Sequence, residues 1–210
     1  MNPKFRLSVF LLFWASEWFS AKSTCFSGCD ALASYYLWRR SNLTYVSRIM
    51  QSQVLSSIED IISYNKDYSV SHSSRVNVPI PCNCINGEFL ANFFQYTTQP
   101  YDTYLTIAEI EFSNLSTDDW IMRFNSYSSS QLPQFRKINV TVNCSCGNSE
   151  VSKDYGLFIT YPLRTEDTLE SIANQTKLPP ELLQRYNPGV DFGQGSGLVY
   201  IPGKGKATLF

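Results

Sequence analysis

The chain has 210 residues, a formal net charge of −1, and 43% hydrophobic against 17% charged residues. The near-neutral charge, without a block of lysine or arginine, argues against a nucleic-acid binder that relies on phosphate neutralisation. A single histidine, His72, excludes a multi-histidine metal site. An aromatic content of 15% predicts that most of the chain folds.

Residues 1–23 have the pattern of a secretory signal peptide. Lys4 and Arg6 precede an apolar run from Leu7 to Ala15, and Ala21 and Ser23 are small residues suited to a cleavage site. The run is too short for a spanning helix, which needs ~20 apolar residues. Three of the 17 basic and one of the 18 acidic residues lie in this segment, so its removal leaves a net charge of −3. We expect a secreted, mildly acidic chain that prefers neutral ligands to polyanions.

Beyond residue 23, similar segments occur three times, which predicts three units of strand, helix, helix and strand. Each first strand contains a tyrosine, and the predicted strands are Ala31–Tyr36, Ala91–Tyr96 and Gly156–Tyr161. Six residues after each of these tyrosines comes a residue of helix-capping type: Asn42, Asp102 and Asp167. Asp102-Thr103 and Asp167-Thr168 predict N-caps. The first helices are expected at about 44–50, 103–111 and 168–176.

The second helix of each unit ends at an aromatic residue followed by asparagine, at Asn65, Asn125 and Asn187. Asparagine tolerates the left-handed conformation that closes helices, and Ser57, Thr117 and Pro179 suit the helix starts. The predicted second strands are Arg75–Pro81, Lys137–Val142 and Leu198–Pro202. The units are predicted at 24–84, 85–146 and 147–203, with a tail at 204–210. We expect the two strands of each unit to pair into a small sheet covered by its helices.

Six cysteines follow the predicted signal peptide: Cys25, Cys29, Cys82, Cys84, Cys144 and Cys146. An even number in an oxidising compartment predicts three disulfides. Neighbours in a C-x-C pair point to opposite faces of an extended chain, so each should bond to another segment. Zinc ligation would favour two-residue gaps, which the later pairs lack. Six cysteines allow 15 pairings, and the spacing does not choose among them. Five N-x-S/T sequons predict exposed glycan sites, at Asn42, Asn114, Asn139, Asn143 and Asn174.

The features that carry a family resemblance are Cys25-x3-Cys29, the two C-x-C pairs, and the segments 139–147, 152–164, 183–189 and 199–203. In these, the chain resembles the ectodomains of plant LysM receptor-like kinases, in the branch of chitin-elicitor and Nod-factor receptors. The resemblance covers about Cys25 to Gly203. It implies an α+β fold of three tandem βααβ units packed together. It also implies the disulfides Cys25–Cys84, Cys29–Cys146 and Cys82–Cys144.

The ligands that the resemblance implies are N-acetylglucosamine oligomers or lipo-chitooligosaccharides, bound without cofactor or metal. It implies another LysM receptor as partner, a place outside the cell or on the outer face of the plasma membrane, and a role in immune or symbiotic signalling. The family continues into a membrane span and a Ser/Thr kinase, which this sequence does not contain. We therefore expect either part of a receptor or a free secreted module that acts as a scavenger or co-receptor decoy.

Two loops of the second unit, 97–102 and 126–135, are rich in Tyr, Gln, Ser and Pro, which suits a groove for a neutral oligosaccharide. Composition alone favours ordinary solvated loops. The resemblance implies ligand contacts in this unit from Gln99, Pro100, Tyr101, Leu105, Ser129, Gln131 and Leu132. Several chitin-binding relatives carry carboxylates where this chain has Tyr101 and Leu105. The departure suggests a ligand with an acyl chain, or weak binding helped by a co-receptor.

Catalysis is not expected from this chain. Glycan cleavage needs two carboxylates that face each other across a cleft, whereas the acidic pairs here fall on or beside predicted helices. Solvated helix faces and helix N-termini explain these pairs, which are Glu59/Asp60, Glu109/Glu111, Asp118/Asp119 and Glu166/Asp167. The sequence shows no nucleophile elbow and no phosphate-binding loop.

Overall fold

The computed structural model describes residues 25, 27–38, 41–51, 57–65, 74–128 and 132–203. The predicted signal peptide, His72 and the tail at 204–210 lie outside these residues. In unit 1 the elements are β1 (Cys29–Tyr36), α1 (Leu43–Ile49), α2 (Ile58–Ser63) and β2 (Arg75–Ile85). In unit 2 they are β3 (Phe89–Thr97), α3 (Tyr104–Thr106), which continues as a π-helix over Ile107–Glu111, α4 (Asp118–Arg123) and β4 (Lys137–Asn143). In unit 3 they are β5 (Leu157–Pro162), α5 (Leu169–Thr176), α6 (Pro180–Tyr186) and β6 (Leu198–Gly203).

The predicted α+β class, with three βααβ units and three disulfides, is confirmed. The limits of the units at residues 84 and 146 stay a prediction. None of the helices in the described part of the chain has the length and apolar character needed to cross a bilayer.

The first helices begin where the sequence places them, but the capping residue differs in two units. Asn42 caps α1 as predicted, and its side chain accepts a hydrogen bond from the amide of Tyr45. The caps of α3 and α5 are Thr103 and Thr168. Of the predicted pairs Asp102-Thr103 and Asp167-Thr168, only the threonines cap, because the two carboxylates bind the preceding turn.

The asparagine at the end of each second helix joins that helix to the second strand of its unit. The Nδ2 of Asn187 donates to the carbonyl of Leu183 (2.8 Å) and to that of Tyr200 (2.9 Å), and its Oδ1 accepts from the amide of Tyr200 (2.7 Å). Asn65 and Asn125 make the same three bonds in their own units. The left-handed conformation predicted for these asparagines is wrong, since Asn187 has φ −128° and the other two have no positive φ.

The three units contribute to one sheet of the order β4-β3-β2-β1-β5-β6 within the described residues. The strand pairs of each unit are antiparallel, and β1 also pairs in parallel with β5, Ala31 opposite Phe158. The sequence predicts a small sheet for each unit and does not show that they join. Cys82 and Cys84 lie within β2, which extends beyond the predicted strand at Arg75–Pro81 and turns directly into β3.

Units 1 and 2 share one hydrophobic core, while the core of unit 3 is separate and includes Leu32 from β1. The disulfides join Cys25 to Cys84, Cys29 to Cys146 and Cys82 to Cys144, which is the pairing that the resemblance implies. Their sequence separations of 59, 117 and 62 residues correspond to about 4–5 kcal/mol each in the chain-entropy model. Such cross-links compensate for the small core of each unit.

Candidate functional site

Thr98 holds the two candidate loops of unit 2 side by side. Its amide donates to the carbonyl of Arg136 (2.9 Å), and its carbonyl accepts from the amide of Phe135 (2.9 Å). Its hydroxyl donates to the carbonyl of Pro133 (2.6 Å) and accepts from the amide of Arg136 (3.0 Å). Because Thr98 is fully buried, these bonds form a fixed base between the loop after β3 and the loop before β4.

Asp102 supports the turn at the tip of the first loop. Its Oδ2 accepts from the amide of Gln99 (2.6 Å) and from the hydroxyl of Tyr96 (2.9 Å). The turn closes with a hydrogen bond from the amide of Asp102 to the carbonyl of Gln99 (3.2 Å). Pro at the second position of such a turn presets its backbone, and Pro100 stands there.

Tyr101 has the least favourable backbone conformation on this loop and the most exposed aromatic side chain. Its φ is +72°, in the left-handed region that bulky residues rarely adopt, and its side chain is 96% exposed. The conformation costs about 1–2 kcal/mol relative to an ordinary one, and the exposed ring gains almost no burial in return. Strain that packing does not offset is typical of functional loops.

Other apolar side chains are exposed around this turn. Leu105, in the first turn of α3, is 49% exposed, and Phe135, on the second loop, is 65% exposed. Tyr127 is also exposed, and its carbonyl accepts a hydrogen bond from the hydroxyl of Tyr104 (3.1 Å). The loops and the start of α3 therefore present apolar groups on a hydrogen-bonded frame.

The structure describes five of the seven predicted ligand residues. Gln99, Pro100, Tyr101 and Leu105 are exposed on one turn and the helix that follows it. The carboxamide of Gln99 donates to the carbonyl of Thr97 (2.9 Å), which leaves its oxygen as an acceptor. Leu132 belongs to the shared core and therefore supports the second loop from below. Ser129 and Gln131 lie outside the described residues. The ligand-binding role of all seven stays a prediction.

A cavity of about 380 Å³ between α1 and unit 2 is a feature that sequence reasoning missed. Glu111 lies on its wall, where its carboxylate accepts from the hydroxyl of Tyr45 and its carbonyl from that of Tyr35 (2.8 Å). Burial, and then the bond to Glu111, raises the pKa of Tyr45. The assignment of Glu111 to a solvated helix face is therefore wrong. The π-helix that carries Glu111 has no simple sequence pattern.

The equivalent loop of unit 3 has the same frame but contacts unit 1. Asp167 accepts from the hydroxyl of Tyr161 (3.0 Å) and from the amide of Arg164 (2.8 Å), as Asp102 does from Tyr96 and Gln99. It also pairs with Arg75 of unit 1 at 3.0 Å. The guanidinium of Arg164 lies 3.7 Å from the ring centroid of Tyr36. This loop is thus used to join two units.

The predicted glycan sites differ in exposure. Asn42 and Asn174 are exposed, on the N-terminus of α1 and on α5. Asn114 is half-buried at φ +62°. Asn139 and Asn143 are half-buried in β4, and the side-chain oxygen of Asn139 accepts from Gln95. Glycosylation at these positions stays a prediction. The sulfur atoms of Cys29, Cys82 and Cys146 lie within 4.8 Å of one another, and each is already in a disulfide.

Comparison with known proteins gives relatives along the whole chain. A model of the LysM domain matches residues 159–202. The chain is 47% identical over 218 residues to LysM domain receptor-like kinase 3 of Medicago truncatula, covering 100% of this chain and 35% of that protein. It is 39% identical over 219 residues to Chitin elicitor receptor kinase 1 of Arabidopsis thaliana, covering 100% and 36%.

The crystal structure of the LYK3 ectodomain is similar throughout, with a TM-score of 0.85 and 45% identity. The match covers 89% of this chain and 95% of that one. The chain thus spans about a third of the curated relatives and nearly all of an ectodomain.

Proposed function

Because this chain belongs to the ectodomains of plant LysM receptor-like kinases, we propose that it binds oligomers of N-acetylglucosamine outside the cell through the exposed loops of unit 2. The ligand is a chitooligosaccharide or a lipo-chitooligosaccharide. The chain corresponds to the non-catalytic part of its relatives, so its contribution is recognition. The three disulfides fit an extracellular location.

The observation that carries the proposal is the exposed turn of unit 2, where Tyr101 is held at positive φ above the fixed base at Thr98. Apolar side chains such as Tyr101 and Leu105 suit sugar faces and acetyl methyl groups. The carboxamide oxygen of Gln99 suits an N–H or hydroxyl donor. The name of the Arabidopsis relative, a chitin elicitor receptor kinase, supports the same class of ligand.

The apolar character of the turn favours the acylated ligand within that class. Tyr101 and Leu105 present exposed apolar surface, as does Phe135 on the neighbouring loop. Burial of apolar area stabilises a complex by roughly 25 cal/mol per Å² before ordering costs. An acyl chain gains from this surface, whereas an unmodified oligomer gains only through its methyl groups and ring faces.

Signalling by such an ectodomain requires a second receptor, because an extracellular ligand must bring intracellular kinases together. We propose another LysM receptor as that partner, on the outer face of the plasma membrane, in immune or symbiotic signalling. A secreted form that binds the same ligand without a partner would act as a scavenger. Binding of the ligand together with, or without, a partner ectodomain in solution distinguishes these two roles.

Biolayer interferometry on the glycosylated protein of residues 24–210 tests the ligand proposal, with an N-acetylglucosamine octamer and a lipo-chitooligosaccharide in parallel. Leu105→Asp is expected to weaken binding at least about tenfold, a loss of about 1.4 kcal/mol. The matched control is Ile62→Asp, since Ile62 is 50% exposed on α2 of unit 1 and should leave binding unchanged. Absence of binding to both ligands, or equal losses in the two variants, would contradict the proposal.

A further inference from the structure

A second cavity, of about 450 Å³, lies between unit 1 and unit 3. Its floor is the face of β1 and β2 that carries Tyr36, Arg75 and Asn77, and α5 of unit 3 contributes Gln175 to its wall. None of its lining residues belongs to unit 2. It is therefore separate from the two loops of unit 2.

Two arginines, one from each unit, fix the walls of this cavity. Arg75 of unit 1 donates from Nη2 to the carbonyl of Pro162 (2.8 Å) and to Asp167 (3.0 Å), with its guanidinium 3.8 Å from the ring centroid of Tyr161. Arg164 makes the reciprocal contact from unit 3 to unit 1, because its guanidinium lies over the ring of Tyr36. With β1 and β5 also paired, the cavity is preformed, as small-molecule sites usually are.

The charges around the cavity balance, and its remaining groups are neutral hydrogen-bonding groups. Arg75 pairs with Asp167, and Arg164 pairs with Glu166 at 2.7 Å. The side-chain amides of Asn77 and Gln175 lie among the lining residues, with the apolar side chains of Ile159 and Ile201. Such a surface suits an uncharged ligand rich in hydroxyl and amide groups.

Arg75 also retains unused donor capacity. Its Nη1 is buried without a hydrogen-bond partner among the described residues, which is uncommon for a charged group and costly if it stays unmet. Arg75 itself lines the cavity, so a guanidinium with this unmet donor lies in its wall. The lining itself carries two carboxylates, of Asp167 and Glu166, against the one guanidinium of Arg75, which disfavours an anionic ligand.

We propose that this cavity is a second carbohydrate site, which accepts the end of a short neutral oligosaccharide independently of unit 2. Its volume lies within the range of about 300–1,000 Å³ usual for small-ligand sites. Two sites on one rigid body would allow one chain to hold two saccharide ends at once, with a gain from effective concentration.

Methyl NMR of isoleucine-labelled protein tests the proposal, because Ile159 and Ile201 both line the cavity. The probes are the N-acetylglucosamine trimer, the cellulose trimer and, as the charged counterpart, the galacturonic acid trimer. At least one neutral trimer is expected to shift both methyl signals. Gln175→Trp, which places bulk at the cavity wall from an exposed helix position, should abolish these shifts. Glu170→Trp, exposed on the same helix but not lining the cavity, should retain them.

The Leu105→Asp variant separates this site from that of unit 2. It should weaken octamer binding about tenfold yet keep the shifts at Ile159 and Ile201. Gln175→Trp should abolish the shifts and leave octamer binding at the loops of unit 2 intact. The proposal is overturned if no neutral trimer moves the two methyl signals, if only the charged trimer does, or if Gln175→Trp leaves the shifts intact. It is also overturned if Leu105→Asp removes them, since the two sites would not be independent.

Discussion

The loops after β3 and after β5 have the same pattern of hydrogen bonds but differ in what they contact. In each, a tyrosine hydroxyl and a turn amide donate to one aspartate, Asp102 in unit 2 and Asp167 in unit 3. Asp167 receives an additional cation, Arg75, and its loop becomes part of the junction between two units. Asp102 has no such ion pair among the described residues, and the tip of its loop is exposed at Tyr101.

The difference follows from the neighbours of each strand in the sheet. β5 pairs with β1, and β1 pairs with β2 so that Tyr36 stands opposite Arg75. This register brings Arg75 to the unit 3 loop. β3 has β4 on one side and meets β2 only in a short hairpin at its other end. A repeated loop thus joins two units where an ion pair reaches its aspartate, as in unit 3, and leaves its tip exposed in unit 2.

The largest effect is expected from Asp167→Ala. The change leaves Arg75, whose side chain is 15% exposed, without its counter-ion, and Tyr161 and Arg164 lose an acceptor. Removal of one partner of a buried pair costs about 3–5 kcal/mol, measurable by urea unfolding. As a control, replacement of both Arg75 and Asp167 by apolar residues should cost less than the single change. A loss below about 1 kcal/mol for Asp167→Ala would mean that the pair is not part of the junction.

Asp102→Ala is expected to have a smaller effect, about 1–2 kcal/mol, because only hydrogen bonds from Tyr96 and Gln99 are lost. The same urea experiment measures it. Octamer binding should weaken as well, since the turn that presents Tyr101 loses its support. Equal losses of stability for Asp102→Ala and Asp167→Ala would remove the distinction between the two loops.

Stability at alkaline pH tests Tyr96 and Tyr161, whose hydroxyls donate to Asp102 and Asp167 in the two loops. Burial raises the pKa of both Tyr96 and Tyr161 above the ordinary value of about 10. The unfolded chain therefore loses these protons first, and the free energy of unfolding is retained below about pH 10 and falls as the pH rises above it. Each tyrosine contributes at most about 1.4 kcal/mol per pH unit. Unfolding curves at increasing pH should show a shallower decline for Tyr96→Phe and for Tyr161→Phe, and an unchanged slope would contradict the assignment.

The smallest effect is expected from Tyr101→Gly. Glycine adopts φ +72° without steric cost, which recovers about 1–2 kcal/mol, and its greater freedom in the unfolded chain takes back roughly 0.5–1 kcal/mol. Thermal unfolding should show a slight gain in stability, while interferometry shows weaker ligand binding. A loss of stability would indicate that the ring of Tyr101 packs against the loop, contrary to its exposure.

Local features of the fold could be predicted from the sequence, because short patterns decide them. Ser57, Thr117 and Pro179 begin the second helices as predicted, since capping depends on a few neighbouring residues. In unit 1 the prediction of Tyr36 as the repeating tyrosine is wrong by one residue. Tyr35 occupies the position of Tyr96 and Tyr161, seven residues before its helix cap, but Ser41 replaces the aspartate that identifies it in the other units.

Contacts between units could not be predicted, because they depend on strand register across long separations. Nothing near Arg75 in the sequence indicates Asp167, 92 residues away. The interaction of Glu111 with Tyr35 depends on a π-helix, and the strain at Tyr101 depends on the turn type. For the candidate site, the family resemblance points to the loop, and the structure supplies its geometry.

The parallel pairing of β1 with β5 also has a consequence for the order of events during synthesis. β1 leaves the ribosome first, yet the edge that β5 covers stays unpaired until unit 3 has been made, and Cys29 waits 117 residues for Cys146. At 5–20 residues per second this delay is roughly 6–23 s. During that time an unpaired strand edge and a free thiol are exposed. Efficient production of this protein should therefore depend on chaperones and disulfide isomerases that act before translation ends.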